Sequence, residues 1–292
     1  MNSKIPPVPV FIVHWNRPRE CLRAVESFLS HDLSLRLSIV DNNSEPDLLE
    51  VLIEGLPPDV ELIRLVENRG WGGGLNVLLT KWLESEDGQF CFVSAHDALP
   101  QAECLSMLLD SMQGDSNRTG IACAEYGVAH LAQFSPVRGP RLVTIPPRQS
   151  GSVETVPYPH GTLMLFRRHC LEDVGLFDER YFAYGDEMEI GLRAQRYGWK
   201  TVVVWGAVVI NPGSWTPSRT LSYLATRNSL LMASMYGGGL SAALRVALMV
   251  PNTLRLMLFR SAHASTFSPL ARAAAVRDFC LGHFGPPPDE FR

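Results

Sequence analysis

Four short β-rich runs alternate with helical patterns over the first third of the chain, and every run stops at a cluster of polar side chains. The runs are residues 8–13, 35–40, 60–66 and 89–94. Helical patterns lie near 19–30, opened by Pro18, and from Pro46 and Asp47 to about Leu56, where Pro57 and Pro58 break it. A third runs from a glycine-rich turn through Trp82, and a fourth is near 101–113. Helices between strands act as crossovers, and crossovers make neighbouring strands parallel. The fold class this predicts is α/β, a doubly wound, mostly parallel sheet.

The middle of the chain changes character. Residues 127–159 are rich in Pro, Gly, Ser and Arg, with one strand-like run at 141–145, and read as an excursion across one face. The pattern returns with a strand at 161–166, a short helix near 168–174, an acidic helix, and a strand at 201–209. Beyond about residue 215 the signals are helical, with many Ala, Leu and Arg. This divides the chain into an α/β domain at 1–215 and a C-terminal helical subdomain at 216–292. Within the latter, residues 240–259 are apolar around much of a helical circumference, interrupted by Arg245, Pro251, Asn252 and Arg255. That makes a poor spanning helix. It reads as a helix packed on the domain or on a second subunit of a homodimer; the sharper alternative is a peripheral membrane contact.

A net charge of −4 gives no general call for nucleic acid. The six cysteines form no C-x-x-C pair and mostly sit among apolar neighbours, which fits free thiols in a reducing cytoplasmic setting. No basic segment followed by a long apolar run opens the chain.

In open α/β sheets, ligands bind beyond the carboxyl ends of the strands. The residues to inspect there are His14 and Asn16, Asp41 to Ser44 with Asn43, Asn68 to Gly70, and His96 with Asp97. The stretch Gly70-Trp71-Gly72-Gly73-Gly74-Leu75-Asn76 matches a dinucleotide fingerprint loosely, because the third glycine falls at Leu75. Its glycines allow either a close approach of backbone amides to a diphosphate or tight packing of turn on sheet. Asp97 suits Mg²⁺ or Mn²⁺ with His96 as a second ligand, or else caps the helix that follows.

The acidic helix begins Gly185-Asp186-Glu187-Met188-Glu189 behind an aromatic-rich turn. Asp186 as N-cap and Glu189 as third helical residue would make a capping box, and Glu189 stands four before Arg193, the favourable order for an ion pair. Glu187 has no such task and is free to act as a base.

Taken in chain order, these segments resemble glycosyltransferase family 2, in particular its rhamnosyltransferase-like members. The matching pieces are Val13-His14-Trp15-Asn16-Arg17, Ile39-Val40-Asp41-Asn42-Asn43-Ser44, Glu67-Asn68-Arg69-Gly70 through Asn76, His96-Asp97, His160-Gly161-Thr162-Leu163-Met164 and Gly175-Leu176-Phe177-Asp178-Glu179. The acidic helix and Tyr223-Leu224-Ala225-Thr226-Arg227-Asn228 complete the series, over roughly residues 7–230. The resemblance implies a GT-A fold that takes a nucleoside diphosphate sugar and passes the sugar, with inversion, to a glycan, lipid-linked or small-molecule hydroxyl. It makes Glu187 the base, with Asp186 beside it. It gives the donor His14, Asn16, Asp41, Asn43, Asn68, Gly70, Gly73, Asn76, His96, Asp97 and Arg227, and the acceptor Glu189 and His160. It also implies Mg²⁺ or Mn²⁺ at Asp97 and Asn211, and a cytoplasmic protein, perhaps at the inner face of a membrane. Three residues depart from the family. Ala95 replaces the first acid of Asp-x-Asp, Asn211 stands where a histidine is common, and the base is Glu in place of Asp. Ala95 and Asn211 also suit a non-catalytic sugar-nucleotide binder on the same fold. A nucleotidyltransferase would need a Gly- and Lys/Arg-rich loop after the first strand, which is missing.

Overall fold

A computed structural model of the chain describes residues 6–85, 87–113, 118–127, 129–213, 216–258 and 267–291. The first half runs β1 (Val8–His14), α1 (Pro18–Leu29), β2 (Leu35–Asp41), α2 (Pro46–Gly55), β3 (Glu61–Arg64), α3 (Gly70–Leu83), β4 (Phe90–Ala95), β5 (Leu99–Pro100) and α4 (Cys104–Gln113). It continues with β6 (Thr119–Cys123), β7 (His130–Ser135), β8 (Gly139–Thr144), β9 (Val153–Val156), β10 (Leu163–Arg167), α5 (Arg168–Val174), α6 (Asp186–Arg196), β11 (Lys200–Val204) and β12 (Val209–Ile210). Then come α7 (Ser218–Leu258), α8 (Pro269–Leu281) and a 3₁₀ turn at Asp289–Phe291.

Eight strands form one sheet in the order β3-β2-β1-β4-β10-β6-β11-β9. β1 runs parallel to β2 and β4, and β2 to β3, so the carboxyl ends of these four strands lie along one edge. β10 is antiparallel to both β4 and β6, while β11 is parallel to β6. Both faces are covered. Phe11 and Val13 point into a core shared with Leu75, Leu78 and Trp82 of α3. Val10 and Ile12 point into another, with Cys21, Val25 and Phe28 of α1. A strand buried on both sides must be continuously apolar, which is why residues 8–13 stand out in the sequence.

Four strands escape the sequence pattern. β6 is only five residues long, and β7 and β9 lie inside the supposed excursion. That segment is a β7–β8 hairpin plus an antiparallel edge strand on β11. The run at 201–209 divides into β11 and the two-residue β12, which pairs with β5. Five cysteines are buried and free, but Cys280 is exposed. Residue 215, the expected domain junction, and residues 214 and 259 of the quoted segments lie outside the described residues.

The glycine-rich segment is a correction. Gly70 to Gly74 are not a turn before α3; they are its first turn and a half. They let the helix start press against the loop ahead of α6. A Cβ on Gly70 would stand 2.1 Å from the Phe182 carbonyl oxygen, and one on Gly72 would stand 2.8 Å from Cβ of Phe177. The free N–H groups of this first turn are spent on protein. Gly70 N–H goes to Asn68 Oδ1 (2.9 Å), Trp71 N–H to Phe182 O (2.6 Å) and Gly72 N–H to Asp186 Oδ2 (3.1 Å). Asn76 brackets the same loop, donating to Phe177 O (2.9 Å) and accepting from Phe177 N (3.0 Å). Arg69 adds a two-pronged contact to Glu179, both distances 2.9 Å.

This packing sets the cost of adding one methyl. Gly70→Ala meets backbone at a φ of +76°, whereas Gly88→Ala, at φ +55°, meets nothing within 4 Å. In urea unfolding, Gly70→Ala is expected to lose upwards of ~3 kcal/mol and Gly88→Ala about 1 kcal/mol. Equal losses would contradict the close docking of α3.

Candidate active site

β1 and β2 end in register, His14 opposite Asp41, and both side chains are fully enclosed. His14 Nε2 accepts the Arg17 N–H at 3.1 Å, which leaves Nδ1 to donate to Asp41 Oδ1 at 2.9 Å. Ser44 supplies Asp41 with its hydroxyl and, at 3.1 Å, its backbone N–H. Burial works to raise the Asp41 pKa, but the hydrogen bonds from His14 and Ser44 outweigh it and hold the carboxyl below its usual range. Asn16 and Asn43 both take positive φ here, 54° and 61°. Asn16 bridges the two loops, its N–H to Ser44 Oγ (2.8 Å) and its Oδ1 from Glu45 N–H (2.8 Å). Asn43 is exposed.

At the end of β4, the Ala95 N–H donates to the Thr162 carbonyl (3.0 Å), and Thr162 Oγ1 accepts from Asn211 Nδ2 (3.3 Å). Ile210 of β12 lies opposite Leu99 of β5, which carries Asn211 alongside the Asp97–Ala98 turn. Gly161 leads to Glu187: a Cβ there would lie 3.0 Å from Glu187 Cγ. Thr162, Asn211, Asp97 and Glu187 therefore belong to one neighbourhood beside the β1–β2 cluster. Thr162 was not singled out in sequence; only its place in the His160–Met164 segment marks it.

Glu187 is half-buried in the first turn of α6 and makes no ion pair among the described residues. Its Oε2 accepts the Gly185 N–H at 3.1 Å. Tyr126 and Tyr158 flank it: burial raises both phenol pKa values, and the Glu187 charge adds to the rise. Asp186 turns the other way. It is enclosed, and burial, reinforced by the charge of Glu187 and a hydrogen bond shared with it, pushes its carboxyl well above the usual range.

Several expectations fail here. The capping box does not form. Gly185, at φ 108°, is the N-cap, Asp186 reaches across to α3, and Glu189 pairs with Arg193 (2.8 Å) and Tyr236 (3.0 Å). The Glu189–Arg193 pair was foreseen, yet it leaves Glu189, 1% exposed, out of reach of an acceptor. Arg227 is likewise enclosed and donates to the Arg180 and Tyr181 carbonyls, so it braces the loop before α6 and faces no donor. Gly70, Gly73 and Asn68 serve the α3 docking instead of a diphosphate. His160 stacks against Tyr126 with ring centres 5.6 Å apart. Burial lowers its pKa and leaves Nδ1 without a partner. His96 is pushed down to about 4, first by burial and then by His14, and its Nε2 has no partner. Its ring lies 6.1 Å from that of His14.

These residues do not by themselves compose a divalent-cation centre. Among the described residues no three His, Cys, Asp or Glu side chains gather as ligands. Both ends of the Asn211 amide are engaged, by Thr162 and by the Gly213 N–H.

Residues 6–237 match the family model described as glycosyltransferase like family 2. The chain belongs to this family. A curated relative from Mycobacterium tuberculosis, N-acetylglucosaminyl-diphospho-decaprenol L-rhamnosyltransferase, is 32% identical over 130 residues, 43% of this chain and 40% of that protein. The match thus spans well under half the length of that relative. Two solved glycosyltransferases share the fold. A mannosyltransferase from Pyrobaculum calidifontis, in complex with GDP-Man and Mn²⁺, has a TM-score of 0.61 at 16% identity, covering 96% of this chain and 88% of that one. GalNAc-T7 with UDP, GalNAc and Mn²⁺ has a TM-score of 0.64 at 16% identity, covering 80% and 48%. The expected GT-A-type fold holds for this family member.

The strand-end cluster makes a pH prediction. A lowered folded-state pKa means Asp41 contributes stability above its unfolded value and loses it as pH falls through the folded one. Denaturant unfolding of wild type should therefore weaken below about pH 4, and Asp41→Asn should cost about 1–3 kcal/mol near neutrality with a shallower acid loss. Parallel pH profiles for the two proteins would contradict it.

Proposed function

We propose that this family member is an inverting glycosyltransferase in which Glu187 is the base. The observation that carries this reading is the contact between Glu187 and the Gly161–Thr162 segment at the end of β4, with the carboxylate outside any ion pair. A sugar hydroxyl is a poor nucleophile until its proton has somewhere to go. As the acceptor oxygen bonds to the anomeric carbon, its proton passes to Glu187 and the bond to the diphosphate oxygen breaks. The electron pair leaves with the nucleoside diphosphate. One in-line displacement inverts the anomeric centre.

The donor is a nucleoside diphosphate sugar, and the rhamnosyltransferase relative favours a deoxyhexose donor such as dTDP-rhamnose. The acceptor is a hydroxyl on a glycan or lipid-linked sugar. His14, Asn16, Asp41 and Asn43 form the wall for the donor at the ends of β1 and β2, and Asp97 faces the diphosphate. Asp97 alone does not make a metal centre, so no step is assigned to Mg²⁺ or Mn²⁺. Asp186 takes a positioning role, tying the start of α6 to α3. Ala95 and Asn211 favour the second reading, a binder without turnover.

Release of nucleoside diphosphate from a panel of nucleotide sugars, with and without Mn²⁺, separates the two. Glu187→Gln should lower kcat by about 10²–10⁴-fold while donor binding persists. Unchanged turnover in Glu187→Gln removes the base assignment. Tight donor binding without turnover for any acceptor favours the binder.

A further inference from the structure

The C-terminal helices carry an apolar face that the fold leaves uncovered. Helix α7 breaks at Gly238, whose φ of 77° and ψ of 174° are not helical. Beyond it the chain folds back: Arg245 Nε donates to Ser229 Oγ at 3.1 Å, and its guanidinium also reaches the Val137 carbonyl at 3.0 Å. Ala242 and Leu256 are buried on that inner side. The outer side is a stripe of Leu240, Leu244, Leu248, Leu254, Met257 and Leu258, each between 47% and 78% exposed. The only other polar side chains fully out on this segment are Asn252 and Arg255. The stripe is roughly 28 Å long at 1.5 Å per residue, far more than scattered surface leucines require.

By length and composition α7 is the one helix among the described residues apolar enough to cross a membrane. Its geometry argues otherwise. The break at Gly238 divides it, and Arg245, near the middle of the second part, is fastened to the β7–β8 turn. Such a helix lies along a surface.

Charge says which surface. Residues 190–277 contain nine Arg, one Lys and no Asp or Glu, in a chain whose net charge is −4. The rest of the protein therefore carries the negative excess, and the positive excess is gathered with the apolar stripe. On α7 and α8, Arg219, Arg227, Arg245, Arg255 and Arg272 form no ion pair among the described residues; the pair made by Arg277 is with its neighbour Asp278. An exposed leucine stripe on a segment of unmatched arginines is complementary to an anionic lipid bilayer, which offers acyl chains and negative headgroups together.

We infer that residues 239–258 dock the protein, lying in plane, on an anionic phospholipid surface. Docking does not depend on the transfer chemistry, so Glu187→Gln should bind vesicles as wild type does. The test is sedimentation of the full chain with phosphatidylglycerol-rich vesicles and with vesicles of phosphatidylcholine alone. Wild type should partition onto the anionic vesicles at low salt and be released at high salt. Leu248→Glu with Leu254→Glu, at exposed positions, should weaken that partition by at least about tenfold. Circular dichroism confirms that the variant folds, and the salt titration of wild type stands independently of it. Absence of binding at low salt overturns the inference, as does equal binding to both vesicle types. So does concentration-dependent self-association that the same substitutions abolish without any vesicle binding, which would make the stripe a contact between copies.

Discussion

The geometry at the strand ends rests on the docking of α3 against the loop before α6. Helix starts carry unsatisfied N–H groups. Here they are met by a side chain of the same loop and by partners more than a hundred residues away, the Phe182 carbonyl and the Asp186 carboxylate. Asn76 closes the other side of the contact with two hydrogen bonds to Phe177. The N-terminal strands and the acidic helix thus become one rigid unit. Arg227 and Asn228 grip the loop from behind: the Asn228 amide lies 2.8 Å from each of the Tyr181, Ala183 and Tyr184 carbonyls. This bracing explains why Phe182 and Tyr184 can hold positive φ values of 64° and 67°, which non-glycine residues rarely adopt.

Much of the fold was legible because burial on both faces leaves a strong imprint. Residues 8–13 and 35–40 had to be apolar throughout, and they were read within a residue of β1 and β2. The strands that escaped lack that imprint. β8 has alternating exposure in a hairpin off the main sheet, and β9 is a four-residue edge strand. The strand-end polar residues were found because topology fixes where they must be, yet their partners were not. A glycine run looks the same whether the close neighbour is a diphosphate or another loop. Only coordinates reveal that Phe182 occupies the space beside Gly70. Glu189 and Arg227 misled for a related reason. Their types suit ligand binding, but both are sealed in the core, where only a tertiary partner makes a charge tolerable.

The acidic start of α6 shows how position decides between structure and chemistry. Asp186 and Glu187 are adjacent, so on a helix they point about 100° apart. One direction leads under α3, the other toward Gly161 and the end of β4. The inward carboxyl is wholly enclosed, and enclosure disfavours its charged form, so it serves as a proton-holding acceptor for Gly72. The outward one keeps contact with solvent and carries only the Gly185 N–H. Exchanging the two residues would not be neutral. A longer acid at 186 would crowd Gly72, since the Asp186 Oδ2 is already within 3.2 Å of where a Cβ on Gly72 would stand. A shorter acid at 187 would draw the carboxylate back from the Gly161 side by one methylene. The order Asp-Glu therefore follows from the space on each side of the helix, and the same spacing leaves the exposed carboxylate free for a proton transfer.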